Sequence, residues 1–210
     1  MQYDNLPEVI REQDSLCVWK RIKRNGEWTK VPYQINGRRA RADDPSTFTT
    51  YDRVAAIYAK GGYDGIGLLN NAFVGIDIDK CVNDDGTLSE MANDIVETID
   101  SYTEYSPSGK GIRIWLSAPS FNYDRKKYFI NNRKKHLEVY VPGETNRFLT
   151  LTGNVIRNND VMERGQQLQA IIDKYMVRPS PKRTHGLDHA FCVRIKIYYG
   201  FYYHLTTMIC

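Results

Sequence analysis

Apolar and polar residues alternate over 16–22 and again over 28–33, on either side of Asn25-Gly26. A period of two predicts strands with one buried face, and Asn-Gly between such runs predicts a hairpin. Residues 34–45 form a basic, turn-rich loop. A helix is expected over 50–60, with Thr50 to cap it and Gly61-Gly62 to stop it. Short apolar runs at 65–69 and 73–79 flank Asn70-Asn71 and read as a second hairpin. Met91, Ile95 and Ile99 mark one face of a helix over 88–101. Strands at 102–105 and 112–116 flank a Ser/Pro/Gly turn. Two more, at 137–141 and 148–152, are joined around Pro142-Gly143, and a closing helix over 160–176 has Asp160 as its cap. Strand pairs interleaved with helices predict an α+β domain whose sheet is largely antiparallel.

The 210 residues suffice for one domain with a real core. The pattern stops at residue 177. Arg178-Pro-Ser-Pro-Lys-Arg183 reads as a linker, and 185–210 is rich in Tyr, His and Ile with Asp188 its only acidic residue. The expected division is therefore a domain over 1–177 and an atypical tail over 178–210, a truncated or frame-shifted remnant of a longer gene. The four cysteines are too dispersed for a C-x-x-C pair. A zinc site from His185, His189 and Cys192 would need His204 or Cys210 at no standard spacing. No apolar stretch is long enough to span a membrane and the N-terminus has no leader pattern, so a cytoplasmic protein with no membrane partner is expected. A net charge of +4 permits a nucleic-acid partner without demanding one. The fifteen tyrosines suit strands as readily as base stacking.

Chemistry concentrates in three segments. In Phe73-Val-Gly-Ile-Asp-Ile-Asp79, strand alternation puts Val74, Ile76 and Ile78 on one face and Gly75, Asp77 and Asp79 on the other. The two carboxylates then lie roughly 6.5–7 Å apart along the strand. Aspartate is depleted in strands, and two on one face repel unless a hard cation neutralises them. Ser106-Pro-Ser-Gly-Lys-Gly-Ile-Arg113 offers Ser106, Ser108, Gly109, Lys110 and Gly111 as an anion-binding turn, without Walker A spacing, and puts Arg113 on the following strand. In His136-Leu-Glu-Val-Tyr-Val141, Glu138 alternates out of the apolar face as a third carboxylate, and Arg147 follows as a phosphate or carboxylate partner. Read singly, each has a bland counterpart: solvated strand-end aspartates, a hairpin turn, a surface glutamate. Together they supply carboxylates for two cations about 3.5–4 Å apart and donors for a triphosphate. Basic segments add Arg38, Arg39 and Arg41 in the first loop, Arg125, Lys126 and Lys127 beside Tyr128, and Lys30. Cations track a nucleic-acid backbone and aromatics stack on bases, although charge runs are often only solvating.

In order along 15–157, Trp28-Thr-Lys-Val-Pro-Tyr33, Asp44-Pro-Ser-Thr-Phe48, Asp64-Gly-Ile-Gly67, Gly75-Ile-Asp-Ile-Asp-Lys80, Tyr102-Thr-Glu-Tyr-Ser-Pro-Ser-Gly-Lys-Gly111, Leu137-Glu-Val-Tyr140 and Arg147-Phe-Leu-Thr-Leu-Thr-Gly153 resemble the archaeo-eukaryotic primase superfamily. The similarity is to the N-terminal primase–polymerase domain of phage, plasmid and integrative-element replication proteins. It implies an RRM-like catalytic sheet joined to an N-terminal α/β unit. It implies Asp77, Asp79 and Glu138 as catalytic metal ligands for two Mg²⁺ or Mn²⁺ ions, with 106–111 at the nucleotide phosphates. The implied partners are single-stranded DNA template, nucleoside triphosphates and a replicative helicase. One position departs: where the second motif usually ends in histidine, this chain has Arg113, which is permanently charged and cannot act as a neutral imidazole. Two readings follow. One is a DNA primase/polymerase, a nucleotidyltransferase; the other is a weak or inactive module that binds nucleotide or single-stranded DNA within a replication or anti-host complex.

Overall fold

The computed structural model describes residues 1–179, so the tail and its zinc-ligand set lie outside the described residues. In chain order the elements are α1 (Glu8–Arg11), β1 (Leu16–Arg24), β2 (Glu27–Tyr33), α2 (Tyr51–Ala59), β3 (Gly65–Leu69), β4 (Val74–Ile78), α3 (Glu90–Ile99), β5 (Thr103–Tyr105), β6 (Ile112–Ser117), β7 (Asn131–Asn132), β8 (Leu137–Tyr140), β9 (Phe148–Thr150), β10 (Val155–Arg157), β11 (Met162–Glu163) and α4 (Gly165–Tyr175). The α+β class holds, with almost every strand pair antiparallel. Among the described residues no helix is long and apolar enough to cross a membrane.

The strands form two sheets, β2-β1-β3-β9 and β10-β5-β6-β4-β8-β7, with β11 running parallel beside β6. The first begins with the β1–β2 hairpin. Asn25 and Gly26 turn it at φ +49° and +87°, the left-handed pair that suits a tight hairpin. In the second sheet, β4 and β5 both run antiparallel to β6 and are thus parallel to each other, with α3 as the crossover. Adding β8 gives β5-β6-β4-β8, the strand order of ferredoxin-like and RRM-like sheets. The second helix, α4, follows β8 in sequence instead of preceding it. Ala92, Ile95, Val96 and Ile99 of α3 and Leu168, Ile171 and Ile172 of α4 pack with Ile76, Ile78, Ile112, Ile114, Leu137 and Val139 in one core. That core covers one face of the sheet. Trimming any of these isoleucines or leucines to alanine costs about 2–5 kcal/mol.

The opposite face meets the first sheet. Trp115, Tyr102 and Tyr140 pack in a second core with Leu16, Val18, Ile66, Leu68, Leu149 and Leu151. Gly75 marks a close approach: a Cβ there would stand 3.1 Å from Leu149 Cδ1, so the glycine lets β9 lie over β4.

Three expectations are corrected. Residues 65–79 are strands but no hairpin, because β3 belongs to the first sheet and β4 to the second. The same holds for 137–152, where β8 and β9 lie in different sheets. Asn70, 2% exposed, ties both crossings together. Its backbone N–H donates to Arg147 O (2.7 Å), its Nδ2 to Tyr140 O (3.1 Å) and Phe73 O, and its Oδ1 accepts from Thr145 Oγ1 (2.8 Å). The closing helix begins at Gly165, with Arg164 and not Asp160 at its N-cap. Residues 162–163 run along β6 instead, and Ser101 Oγ accepts from Met162 N at 2.8 Å.

Candidate active site

Strand register lines up a polar row. Asp77 on β4 stands opposite Glu138 on β8 and opposite Arg113 on β6; Arg113 stands opposite Glu104 on β5, and Glu138 opposite Asn131 on β7. Directly opposed residues share a face, with Cβ atoms about 4.5–5.5 Å apart. Along β4 that face runs from dry to wet. Gly75 lies under Leu149, the Asp77 side chain is 18% exposed, and Asp79, just past the strand end, is open to solvent.

Arg113 is 3% exposed and committed within the protein. Its Nη1 donates to Thr150 O at 3.1 Å and to Thr150 Oγ1, and its Nη2 stands 3.4 Å from Asp77 Oδ2. Its expected role as a triphosphate ligand is therefore corrected: this guanidinium backs Asp77 and pins β9. Behind it lies Glu104, fully buried, whose Oε2 accepts from Thr152 N (3.0 Å), Gly153 N (2.8 Å) and Tyr102 Oη (2.9 Å). Burial pushes its carboxyl upward in pKa, against those hydrogen bonds and the Arg113 charge. The residue-by-residue reading missed Glu104. Its signal was position: one step from Thr103 in a short strand, on the face that Arg113 occupies next door.

Glu138 is half-buried, and its Oε1 accepts from Asn131 Nδ2. Burial raises its pKa, and the Asp77 and Asp79 charges raise it further, while Arg147 and Arg133 oppose them. In the other sheet, Lys30 on β2 is solvent-accessible. The protein around its ammonium and the Arg113 charge lower its pKa, while Asp77 and Asp79 act in the opposite direction. Lys30 and Arg147 thus place positive charge within electrostatic reach of the carboxylates.

The 106–111 turn presses on the end of β4. A Cβ on Gly111 would come 2.6 Å from Ile78 O and 3.2 Å from Asp79 Cα, so glycine alone fits there. Ser106 N donates to Gly111 O (2.8 Å) and Gly109 N to Ser106 O (2.9 Å), with Gly109 at φ +69°. Ser108, Gly109 and Lys110 are exposed; Ser106 is buried, its Oγ 3.1 Å from Ser108 Oγ. Lys110 Nζ is 2.9 Å from Asp84 on the loop after β4.

The other basic segments are less convergent. Arg38, Arg39 and Arg41 are exposed, and Arg41 pairs with Asp43 at 3.0 Å. Arg125 pairs with Glu144 (2.7 Å) and Lys127 with Asp173 (2.9 Å), while Lys126 is exposed. Tyr128, expected to stack on a base, is a core residue. It is 3% exposed, packs beside Tyr123 and donates its hydroxyl to Asp173, so its ring has no face to offer.

The donor set suits a hard divalent cation. Asp77 Oδ1 is buried without a hydrogen-bond partner, and Glu138 is held toward its protonated form by burial and by neighbouring carboxylates. A cation answers both. Among the described residues no three His, Cys, Asp or Glu side chains form a closed metal cluster. Mg²⁺, however, is commonly held by one or two carboxylates with substrate phosphates completing the shell.

No family model matches the chain. A DNA primase-polymerase of Nitratiruptor phage NrS-1 is 32% identical over 148 residues, 68% of this chain. The chain is related to a phage DNA primase-polymerase. It spans 20% of that relative's length.

Proposed function

We propose that the chain carries the nucleotidyl-transfer site of a DNA primase/polymerase, acting on nucleoside triphosphates against a single-stranded DNA template. The observation that carries this reading is the cross-strand opposition of Asp77 and Glu138, with Asp79 one step outward on the same face and Lys30 within electrostatic reach. In the reaction a 3′-hydroxyl oxygen bonds to the α-phosphorus of a triphosphate. The bond from that phosphorus to the β-bridging oxygen breaks, pyrophosphate leaves with its electron pair, and the hydroxyl proton passes to solvent. Mg²⁺ or Mn²⁺, held by Asp77, Asp79 and Glu138, would supply the charge that steadies the attacking and leaving oxygens.

The chain's own groups do the rest. Arg113 holds Asp77 in place through Oδ2 and leaves Oδ1, buried, without a protein partner. Lys30 and Arg147 meet the negative charge of the triphosphate. The exposed Ser108-Gly109-Lys110 turn, set against Asp79 by Gly111, offers hydroxyl and amide donors to its phosphates. A second reading, binding of nucleotide or single strand without turnover, is favoured by the internal commitment of Arg113 and the open carboxylate cluster.

Primer synthesis and extension on single-stranded DNA, with labelled nucleotides and Mg²⁺ or Mn²⁺, separate the two. Product from the wild type, lost in Asp77→Ala/Asp79→Ala with the fold intact, is the expected result. Metal-dependent nucleotide binding with no product would establish the binding-only module.

A further inference from the structure

The β1–β2 hairpin carries a second chemical surface, of which the proposed transfer uses only Lys30. Alternation and register put Arg21, Lys23, Trp28 and Lys30 on one face, in the cross-strand pairs Arg21↔Lys30 and Lys23↔Trp28. Glu27, the hairpin's only carboxylate, alternates onto the other face. Trp28 is 66% exposed, the most exposed large hydrophobic residue among those described, and the Arg21 guanidinium lies 5.8 Å from its ring centroid. A tryptophan so placed buries little of its surface in the fold and gains at most the modest cation–π contact with Arg21. Arg21 opposite Lys30 is a like-charge pair, which destabilises a sheet unless an anion lies across it. Lys30, on this face, lies within electrostatic reach of Asp77 and Asp79.

We propose that this face binds single-stranded nucleic acid, with Arg21, Lys23 and Lys30 along successive phosphates and Trp28 stacked on a base, leading the strand into the Asp77 cleft. The proposal deepens the function proposed above by naming the surface that holds the strand. Cations along a backbone with an aromatic platform are the recurring chemistry of sequence-tolerant single-strand binding.

The tryptophans make the test direct. Of the chain's three, Trp19 is 2% exposed and Trp115 is fully buried, so Trp28 alone is open to a stacking base. The wild type is titrated with unlabelled oligothymidylate while tryptophan emission is followed, and affinity is measured by anisotropy with a labelled strand. Stacking should quench the emission. Trp28→Ala should lose the quench and weaken binding roughly 5- to 100-fold. Trp28→Phe, which keeps an aromatic face, should bind within about threefold of wild type with no quench. Arg21→Ala/Lys23→Ala should weaken binding and flatten the log–log salt dependence by about 1.4. Asp77→Ala/Asp79→Ala should retain the quench whether or not the wild type transfers nucleotides, so failure of catalysis and failure of this surface are read separately. Unchanged emission with unchanged affinity in Trp28→Ala overturns the proposal. So does an equal quench by a nucleoside triphosphate alone that the oligonucleotide then displaces.

Discussion

The two sheets each hold a pair of like charges directly opposite one another: Asp77 and Glu138 in the helix-backed sheet, Arg21 and Lys30 in the hairpin. The first is half-buried and braced, since Arg113 touches Asp77, Glu104 lies behind Arg113, and Asn131 holds Glu138. The second stands in solvent on a two-stranded ribbon, with no carboxylate on its own face. Opposed like charges cost a sheet about 0.2–1 kcal/mol each, so neither pair is explained by folding. The negative pair is fixed, as a site that must place a cation and a phosphate requires. The positive pair is left adaptable, as a surface that follows a flexible polyanion requires. The two face one cleft with opposite signs, and a phosphate backbone with its cations answers both.

The comparison can be broken from either side. Asp77→Asn should have the largest effect, a loss of transfer on the order of 10³-fold or more in a steady-state incorporation assay, with little change in strand affinity. Arg113→Ala comes next. It breaks the Arg113–Asp77 ion pair and removes the one charge that opposes the upward shift of buried Glu104, and should cost about 3–5 kcal/mol in urea unfolding, because breaking a buried charge pair strands its partner. Glu138→Gln should separate stability from function, losing transfer but gaining up to about 1 kcal/mol, or roughly 2–4 °C in Tm at neutral pH.

The sign follows from the raised pKa of Glu138. In the window between the unfolded carboxyl value, about 4.3, and its elevated folded value, the native state holds more protons. Wild-type stability therefore falls as pH rises through that window. The difference between wild type and Glu138→Gln isolates this group from Glu104, which is shifted the same way and present in both. Lys30→Gln is the smallest and the mirror image. The lowered pKa of Lys30 means the native state holds fewer protons there, so wild-type stability rises with pH in the alkaline range. At neutral pH the substitution should add a few tenths of a kcal/mol after solvent screening, and raise KM for triphosphate.

Much of this is legible in the chain before any coordinates. Period-two alternation puts Asp77 and Asp79 off the apolar face, and does the same for Arg113 and Glu138. What alternation does not carry is which strand lies beside which. Asn70-Asn71 has the look of a hairpin turn, yet the chain there passes between sheets. Asn70 is held by Tyr140, Thr145 and Arg147, some seventy residues away in sequence. The opposition of Asp77 to Glu138 and the burial of Arg113 depend on that same crossing, so neither was readable locally. Tyr128 shows the converse: flanked by Lys126, Lys127 and an arginine, it reads as surface, while packing against Tyr123 draws its ring inside. Glu104 was hidden by its short strand, whose partner across the sheet gives it meaning.

The central claim is that Asp77 and Glu138 are opposed in order to take a divalent cation together with a triphosphate. Thermal unfolding with Mn²⁺ and a non-hydrolysable triphosphate, each alone and then combined, tests it most directly. The account expects the combination to raise the wild-type Tm by about 5–10 °C when ligand is near 100-fold over its Kd, and to do little for Asp77→Asn or Glu138→Gln. An equal rise in all three proteins would contradict it, because the ligand would then be held without the opposed carboxylates.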